Sequence, residues 1–223
     1  PDHAAYAKRV MAGDVLAVMD ALGVERFGVV GHDRGGRVAA RLAADHPERV
    51  SAVLLLDIVP TEAMYVATSR ELAESYWHWF FLTQPAPMPE RLIEGDPRAY
   101  VQGVIGSRYA GLEPFPTVIL DHYVDALTGP DAARGICEDY RAAATIDVSH
   151  DAADRAARRL IEPKLHVIWG EHGPVGRLFD PLAEWQQVAR TVTGAALDCG
   201  HYLAEERPNE TLAAIRRWMS QPN

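Results

Sequence analysis

The chain has 223 residues, 48% of them hydrophobic, and a formal net charge of −9. That length supports one domain with a real core and room for an insertion. The acidic balance excludes a nucleic-acid surface, which needs a basic footprint, and no apolar stretch approaches the ~18 residues of a membrane helix.

Residues 4–22 carry Tyr6, Val10, Met11, Val15, Val18, Met19 and Leu22 at helical spacing, with Gly23 where a C-cap falls. A short apolar strand is expected over 26–31 and an alanine-rich helix over 35–45, stopped by His46-Pro47. Residues 50–56 (VSAVLLL) are continuously apolar, as in a parallel strand buried on both faces. Strand, helix and strand in this order form a βαβ unit with a right-handed crossover. After Pro60 the texture becomes aromatic- and proline-rich, with helices expected over 62–82, 96–108 and 116–128 and no strand. Alternation resumes with a strand at 163–170, a helix at 181–192, a strand at 195–199 and a helix at 208–219 opened by Pro208. The expected fold is an α/β sheet, residues 1–60 and 148–223, interrupted by a helical cap over 61–147.

Charge is concentrated at one bend. Gly31-His32-Asp33-Arg34-Gly35 follows the first apolar strand, and its spacing fits a nucleophile elbow with Asp in the central place. Small residues at both ends let the strand turn sharply and lift the central side chain clear of the sheet. The helix N-terminus then favours the carboxylate of Asp33, which needs no base to attack an electrophilic carbon. Asp33 could serve merely as an N-cap, but that leaves Arg34 and Arg37 unexplained. These share a face of the first helical turn and oppose the helix dipole at a cost of about 0.3–1 kcal/mol each. Paired guanidinium groups beside a nucleophile suit a planar anion such as a carboxylate.

An ester on Asp33 needs a base to activate water. Of nine histidines, His201 follows the last strand and precedes the last helix, completing the order nucleophile, acid, histidine. His3, His46, His122, His150 and His166 lack such support, and His32 belongs to the turn. The base requires a carboxylate partner. Asp57 and Glu171 each end a strand; Asp57 is preferred because a charge directly after a buried apolar run must be paired. Cys137 and Cys199 have neither metal-ligand spacing nor a disulfide framework, no secretion signal is apparent, and a cytoplasmic protein without metal or cofactor is the expectation.

With these residues in place, the chain resembles the fluoroacetate (haloacetate) dehalogenases of the α/β-hydrolase superfamily from about residue 5 to 220. The segments carrying the likeness are GHDRGGR (31–37), LLLDIVPT (54–61), YWHWFFLTQPAP (76–87), CEDYRAAATIDVSHD (137–151) and GHYLAEERP (200–208). The resemblance implies Asp33 as nucleophile, His201 as base, Asp57 as its acid, and Arg34 and Arg37 as holders of the substrate carboxylate. His78, Trp79 and Tyr140 would donate hydrogen bonds to the departing halide, while Trp77, Phe80 and Phe81 pack on the sheet. Substrate and products would be a small haloacid, glycolate and halide, with a homodimer consistent with the likeness. It also implies an N-terminal part of the fold, with early strands and an oxyanion loop, that residues 1–223 do not contain. On that basis the strand at 26–31 is expected at an exposed sheet edge, and residues 1–223 alone are expected to be inactive. Two other functions fit parts of the pattern. An epoxide hydrolase shares the Asp, His and acid but has no use for a carboxylate clamp. A non-catalytic ligand-binding member of the fold need not retain all three.

Overall fold

A computed structural model describes residues 3–220. After a short 3₁₀ turn at Ala4–Tyr6, the chain forms α1 (Lys8–Ala21), β1 (Phe27–His32), α2 (Asp33–Asp45) and β2 (Val50–Leu56). Helices then follow one another: α3 (Thr61–Val66), α4 (Arg70–Ser75), α5 (Trp77–Leu82), α6 (Met88–Gly95), α7 (Pro97–Gly106), α8 (Thr117–Thr128), α9 (Ala132–Ala142) and α10 (Val148–Ala156). The last part holds β3 (Lys164–Gly170), α11 (Pro174–Leu178), α12 (Pro181–Gln186), β4 (Val192–Leu197), α13 (Leu203–Glu206) and α14 (Pro208–Met219).

The four strands form one parallel sheet in the order β1-β2-β3-β4. Val53, Leu54 and Leu55 of β2 are fully buried, because β2 is paired on both edges and covered on both faces. On one face, Val53 and Leu55 pack with Ala12 of α1, Leu42 and Ala43 of α2, and Trp185 of α12. On the other, Leu54, Leu56 and Ile168 meet Leu203 and Ala214, with Trp218 against them. Burying a leucine this completely contributes roughly 1.5–3 kcal/mol. Among the described residues β1 lies at the sheet edge. A third cluster joins the intervening helices through Met64, Leu72, Tyr76, Trp79, Leu82, Ile93, Cys137 and Tyr140.

Several boundaries differ from the sequence expectation. The stretch 62–82 is three helices, because Ser69 caps a new one by accepting the Leu72 N–H at 3.2 Å and the chain breaks again at Tyr76. Helix α12 ends at Gln186 rather than 192, since residues 188–190 turn back to bond Ile161. The last strand runs Val192–Leu197, not 195–199, in register with β3 from Leu165 to Gly170. Helices α6, α9 and α10 were not anticipated from periodicity. Trp77 is 39% exposed, lying against Phe81 and Tyr100 rather than the sheet, while Phe80 and Phe81 join the helical cluster.

Candidate active site

The bend at β1–α2 is set by backbone contact. A Cβ on Gly31 would lie 2.6 Å from the Gly35 oxygen and from the Gly36 Cα, and one on Gly36 would lie 2.8 Å from Ile58 Cδ1. Gly35 itself faces open space, so the close approach falls one residue later than the spacing suggests. The turn forces Asp33 to φ 45°, and Asp57, just past β2, sits at φ 49°. Left-handed conformations cost a non-glycine residue about 1–3 kcal/mol, and Asp tolerates them better than most. Both strained aspartates face one histidine.

His201, on the loop between β4 and α13, places Nδ1 2.6 Å from Asp57 Oδ2 and Nε2 3.5 Å from Asp33 Oδ2. The other Asp57 oxygen accepts the Gly170 N–H at 2.9 Å. Asp57 is wholly buried, whereas Asp33 retains about a third of its side-chain exposure, leaving it accessible to a substrate. Glu171 stands on the exposed side of the strand end. The carbonyl of His201 is 2.9 Å from His32 Nε2, which steadies the loop from the elbow.

Charge follows from this arrangement. Burial works against an imidazolium at His201, but its bonds to Asp33 and Asp57 prevail and raise its pKa to about 9. Burial likewise disfavours the Asp33 carboxylate, yet the bond and charge of His201, with His32 and Arg34, hold it well below the usual range. These shifts favour an imidazolium at His201 beside a carboxylate at Asp33.

The two arginines of α2 are held differently. Arg34 donates Nε to Asp139 Oδ2 at 2.5 Å and Nη2 to the Asp139 carbonyl at 3.1 Å, leaving Nη1 buried with no acceptor among the described residues. Asp139 also pairs with the buried Lys8, whose own N–H donates to Asp147 at 2.9 Å. Arg37 donates Nη1 to the Val59 carbonyl and Thr61 Oγ1, both at 3.0 Å. Its Nε is buried without a partner, and Nη2 makes no hydrogen bond among the described residues. One side-on fork on Arg37 and the Nη1 amino group of Arg34 are thus unspent. Despite burial, Asp139 keeps Arg34 firmly cationic, while burial and Arg34 lower Arg37.

Above the arginines lie aromatic rings from α5 and α9. The Arg34 guanidinium is 4.1 Å from the Tyr140 ring centroid and the Arg37 guanidinium 4.7 Å from that of Trp79. Trp79 and Tyr140 meet edge to face at 5.7 Å, and His78 and Tyr140 at 5.9 Å. All three residues are buried, yet the indole N–H, the phenol and His78 Nδ1 make no hydrogen bond among the described residues. Burial and the Asp33 charge push the Tyr140 hydroxyl well above its usual pKa, and burial with Arg108 lowers His78 to about 3. Both are held in the neutral form.

The structure brings Asp33, Asp57, His201, Arg34, Arg37, His78, Trp79 and Tyr140 into one neighbourhood. Sequence reading missed Asp139 and Lys8, which orient Arg34, and Arg108 beside His78. Asp139 adjoins Tyr140 in a segment already singled out; Lys8 and Arg108 carry no local signal. A cavity of about 520 Å³ opens behind α2, lined by Arg41, Glu62, Asp151, Asp154 and Arg155 and reaching Lys8, Arg37 and Thr61. Its charges are largely paired with one another, as in Arg41 with Asp151 and Asp154, and the Asp33–His201 pair does not line it. Cys137 and Cys199 are buried free thiols, which burial pushes up to about 12. Among the described residues no metal-type cluster occurs and no helix is long and apolar enough to cross a membrane.

Comparison with known proteins agrees with this architecture. Residues 1–91 match the model of the α/β hydrolase fold family. The chain is 40% identical over 221 residues to a fluoroacetate dehalogenase of Burkholderia sp, covering 99% of this chain and 72% of that protein. It is 29% identical over 208 residues to a soluble epoxide hydrolase of Corynebacterium sp. strain C12, covering 91% and 70%. The crystal structure of an α/β hydrolase from Nostoc sp PCC 7120 superposes with a TM-score of 0.95 at 46% identity, over 100% of this chain and 76% of that one. The chain belongs to the α/β-hydrolase family, among the relatives of fluoroacetate dehalogenase.

Proposed function

We propose that the protein hydrolyses the carbon–halogen bond of small haloacetates through an ester on Asp33. The observation that carries this reading is the unspent cationic edge beside an accessible nucleophile. Arg37 Nε and Nη2 and Arg34 Nη1 have no acceptor among the described residues, and a bound carboxylate supplies one. Held there, the acid presents its α-carbon to Asp33. The Asp33 oxygen forms the C–O bond as the C–halogen bond breaks, and the halide leaves with the bonding pair. His78, Trp79 and Tyr140 offer it three N–H and O–H donors, replacing the hydration on which fluoride depends.

Esterification removes the Asp33 charge, and with it one of the two carboxylates that hold the His201 proton. The imidazolium then gives its Nε2 proton to solvent and becomes neutral, with its remaining proton on Nδ1 facing Asp57. Nε2 takes a proton from water as the water oxygen attacks the Asp33 carbonyl carbon. The Arg34 N–H, in the first helical turn, is free of an intrahelical acceptor and available to the developing oxyanion. Collapse expels glycolate, protonated by His201, and the Asp33 carboxyl, now carrying a solvent oxygen, gives the second water proton to Nε2 and returns to the carboxylate.

Residues 61–147, from which the halide donors come, act in this proposal as a cap over the core formed by 1–60 and 148–223. The likeness to an epoxide hydrolase and the free Tyr140 hydroxyl favour a second reading, in which a tyrosine protonates an opening epoxide. That reading leaves the guanidinium edge without purpose. Halide and diol assays on fluoroacetate, chloroacetate and styrene oxide decide between them. Halide release from the acids with no diol from the epoxide supports dehalogenation; diol formation without halide release overturns it.

A further inference from the structure

Arg108, two residues beyond the end of α7, is a cation buried to 8% exposure. Among the described residues no carboxylate pairs with it. Its Nη1 donates to the Ser75 carbonyl at 3.0 Å, its guanidinium lies 4.8 Å from the Tyr76 ring centroid, and its Nε is buried without a partner. Burying an uncompensated charge is costly, so the site around it bears on why it is there. A further contact runs from Nη2 to His78 Nε2 at 3.5 Å, and the Arg108 side chain also acts on the Tyr202 hydroxyl.

That contact has a definite sense. A guanidinium only donates, so the ring nitrogen facing it must accept. The imidazole is then neutral with its proton on Nδ1, the atom that makes no hydrogen bond among the described residues. Arg34 and Arg37 lie beneath Trp79 and Tyr140, whereas Arg108 stands on the Tyr76 side of His78. Among the charges acting on His78, Arg108 outranks Arg34, and Asp33 acts on the same ring.

We propose that Arg108 is a positioning residue of the leaving-group site: it fixes His78 as the Nδ1–H tautomer and sets a full positive charge behind that single donor. The inference rests on the dehalogenase reading and deepens it. During displacement, negative charge moves from the Asp33 carboxylate to the halide. A cation behind His78 favours the product side of that shift, which is a gain in the transition state rather than in substrate binding. Fluoride concentrates its charge most and loses the strongest hydration, so it depends on this donor more than chloride does.

The test compares Arg108→Met, Arg108→Lys and the wild type. Arg108→Met should lower kcat on fluoroacetate about 100-fold and on chloroacetate no more than about 10-fold, with little change in KM, on the scale of one lost transition-state donor. Arg108→Lys should recover to within about 10-fold of wild type on fluoroacetate. Equal losses on both substrates overturn the proposal, because a purely structural residue does not change the fluoride-to-chloride ratio. Nitrogen-15 NMR of the His78 ring supplies a readout independent of turnover and of whether Arg108→Met folds. The wild type should show Nδ1–H, and Nε2–H there overturns the proposal. If the wild type releases no halide, the dehalogenase reading fails while the tautomer measurement still judges the Arg108–His78 contact.

Discussion

Replacing Asp57 by Asn should stop the second half of the reaction and spare the first. Both Asp57 oxygens are committed, Oδ1 to the Gly170 N–H at 2.9 Å and Oδ2 to His201 Nδ1 at 2.6 Å. An asparagine has one oxygen, and the Gly170 N–H, a backbone donor, can be satisfied only by it. The amide NH2 is then turned toward His201, where it requires an accepting Nδ1. The imidazole proton moves to Nε2, the atom that must take a proton from water, so the base is blocked by its own tautomer. Holding the wrong tautomer in a related triad costs about 10⁴-fold in kcat, or roughly 5.5 kcal/mol at about 1.4 kcal/mol per decade. The alkylation step depends on Asp33 and the arginines and proceeds. Steady-state halide release should fall about 10⁴-fold while intact-mass spectrometry shows stoichiometric ester after chloroacetate treatment. Turnover within about 10-fold of wild type, or loss of activity with no adduct, refutes the reasoning.

His201→Asn should likewise accumulate the ester, seen as a mass gain of about 58 Da that maps to the peptide containing Asp33; an unmodified protein after substrate treatment contradicts the covalent route. Arg37→Met should lower kcat/KM for chloroacetate by roughly 10–100-fold, the worth of a charge-assisted bond. The neutral analogue chloroacetamide should be far less affected, and equal losses on acid and amide speak against a carboxylate clamp. The fold raises the His201 pKa from 6.5 to about 9, so it favours the protonated form. The resulting stability, on the order of 3 kcal/mol, is complete below pH 6.5 and lost as pH rises through about 9. Thermal melting should show this decline in the wild type and a smaller one in Asp33→Asn; identical pH slopes contradict the coupling of Asp33 to His201.

The sheet was readable because its strands carry their own signal. VSAVLLL is apolar throughout since β2 is buried on both faces, and observed β2 coincides with the expected span. The helix opened by Pro208 was equally legible, because proline suits a first helical turn. The helical stretch after Pro60 was less so: α9 buries Glu138, Asp139 and Arg141 beside Cys137 and Tyr140. Its charged residues face inward to partners distant in sequence, which breaks the apolar period. The same reason hid Lys8 and Arg108. Lys8 is buried against Asp139, 131 residues away, and Arg108 against His78, 30 residues away, and no local spacing announces such pairings. Asp33 and Asp57 were visible because each interrupts an apolar strand end where an unpaired charge is intolerable.

The central claim is that an oxygen of Asp33 attacks carbon. One turnover in heavy-oxygen water, with enzyme in excess over chloroacetate, followed by peptide mass analysis, tests it most directly. The account predicts one solvent oxygen in the peptide carrying Asp33 and an unlabelled hydroxyl in the glycolate. Label in the glycolate with Asp33 unchanged would mean that water attacks carbon directly, and would contradict it.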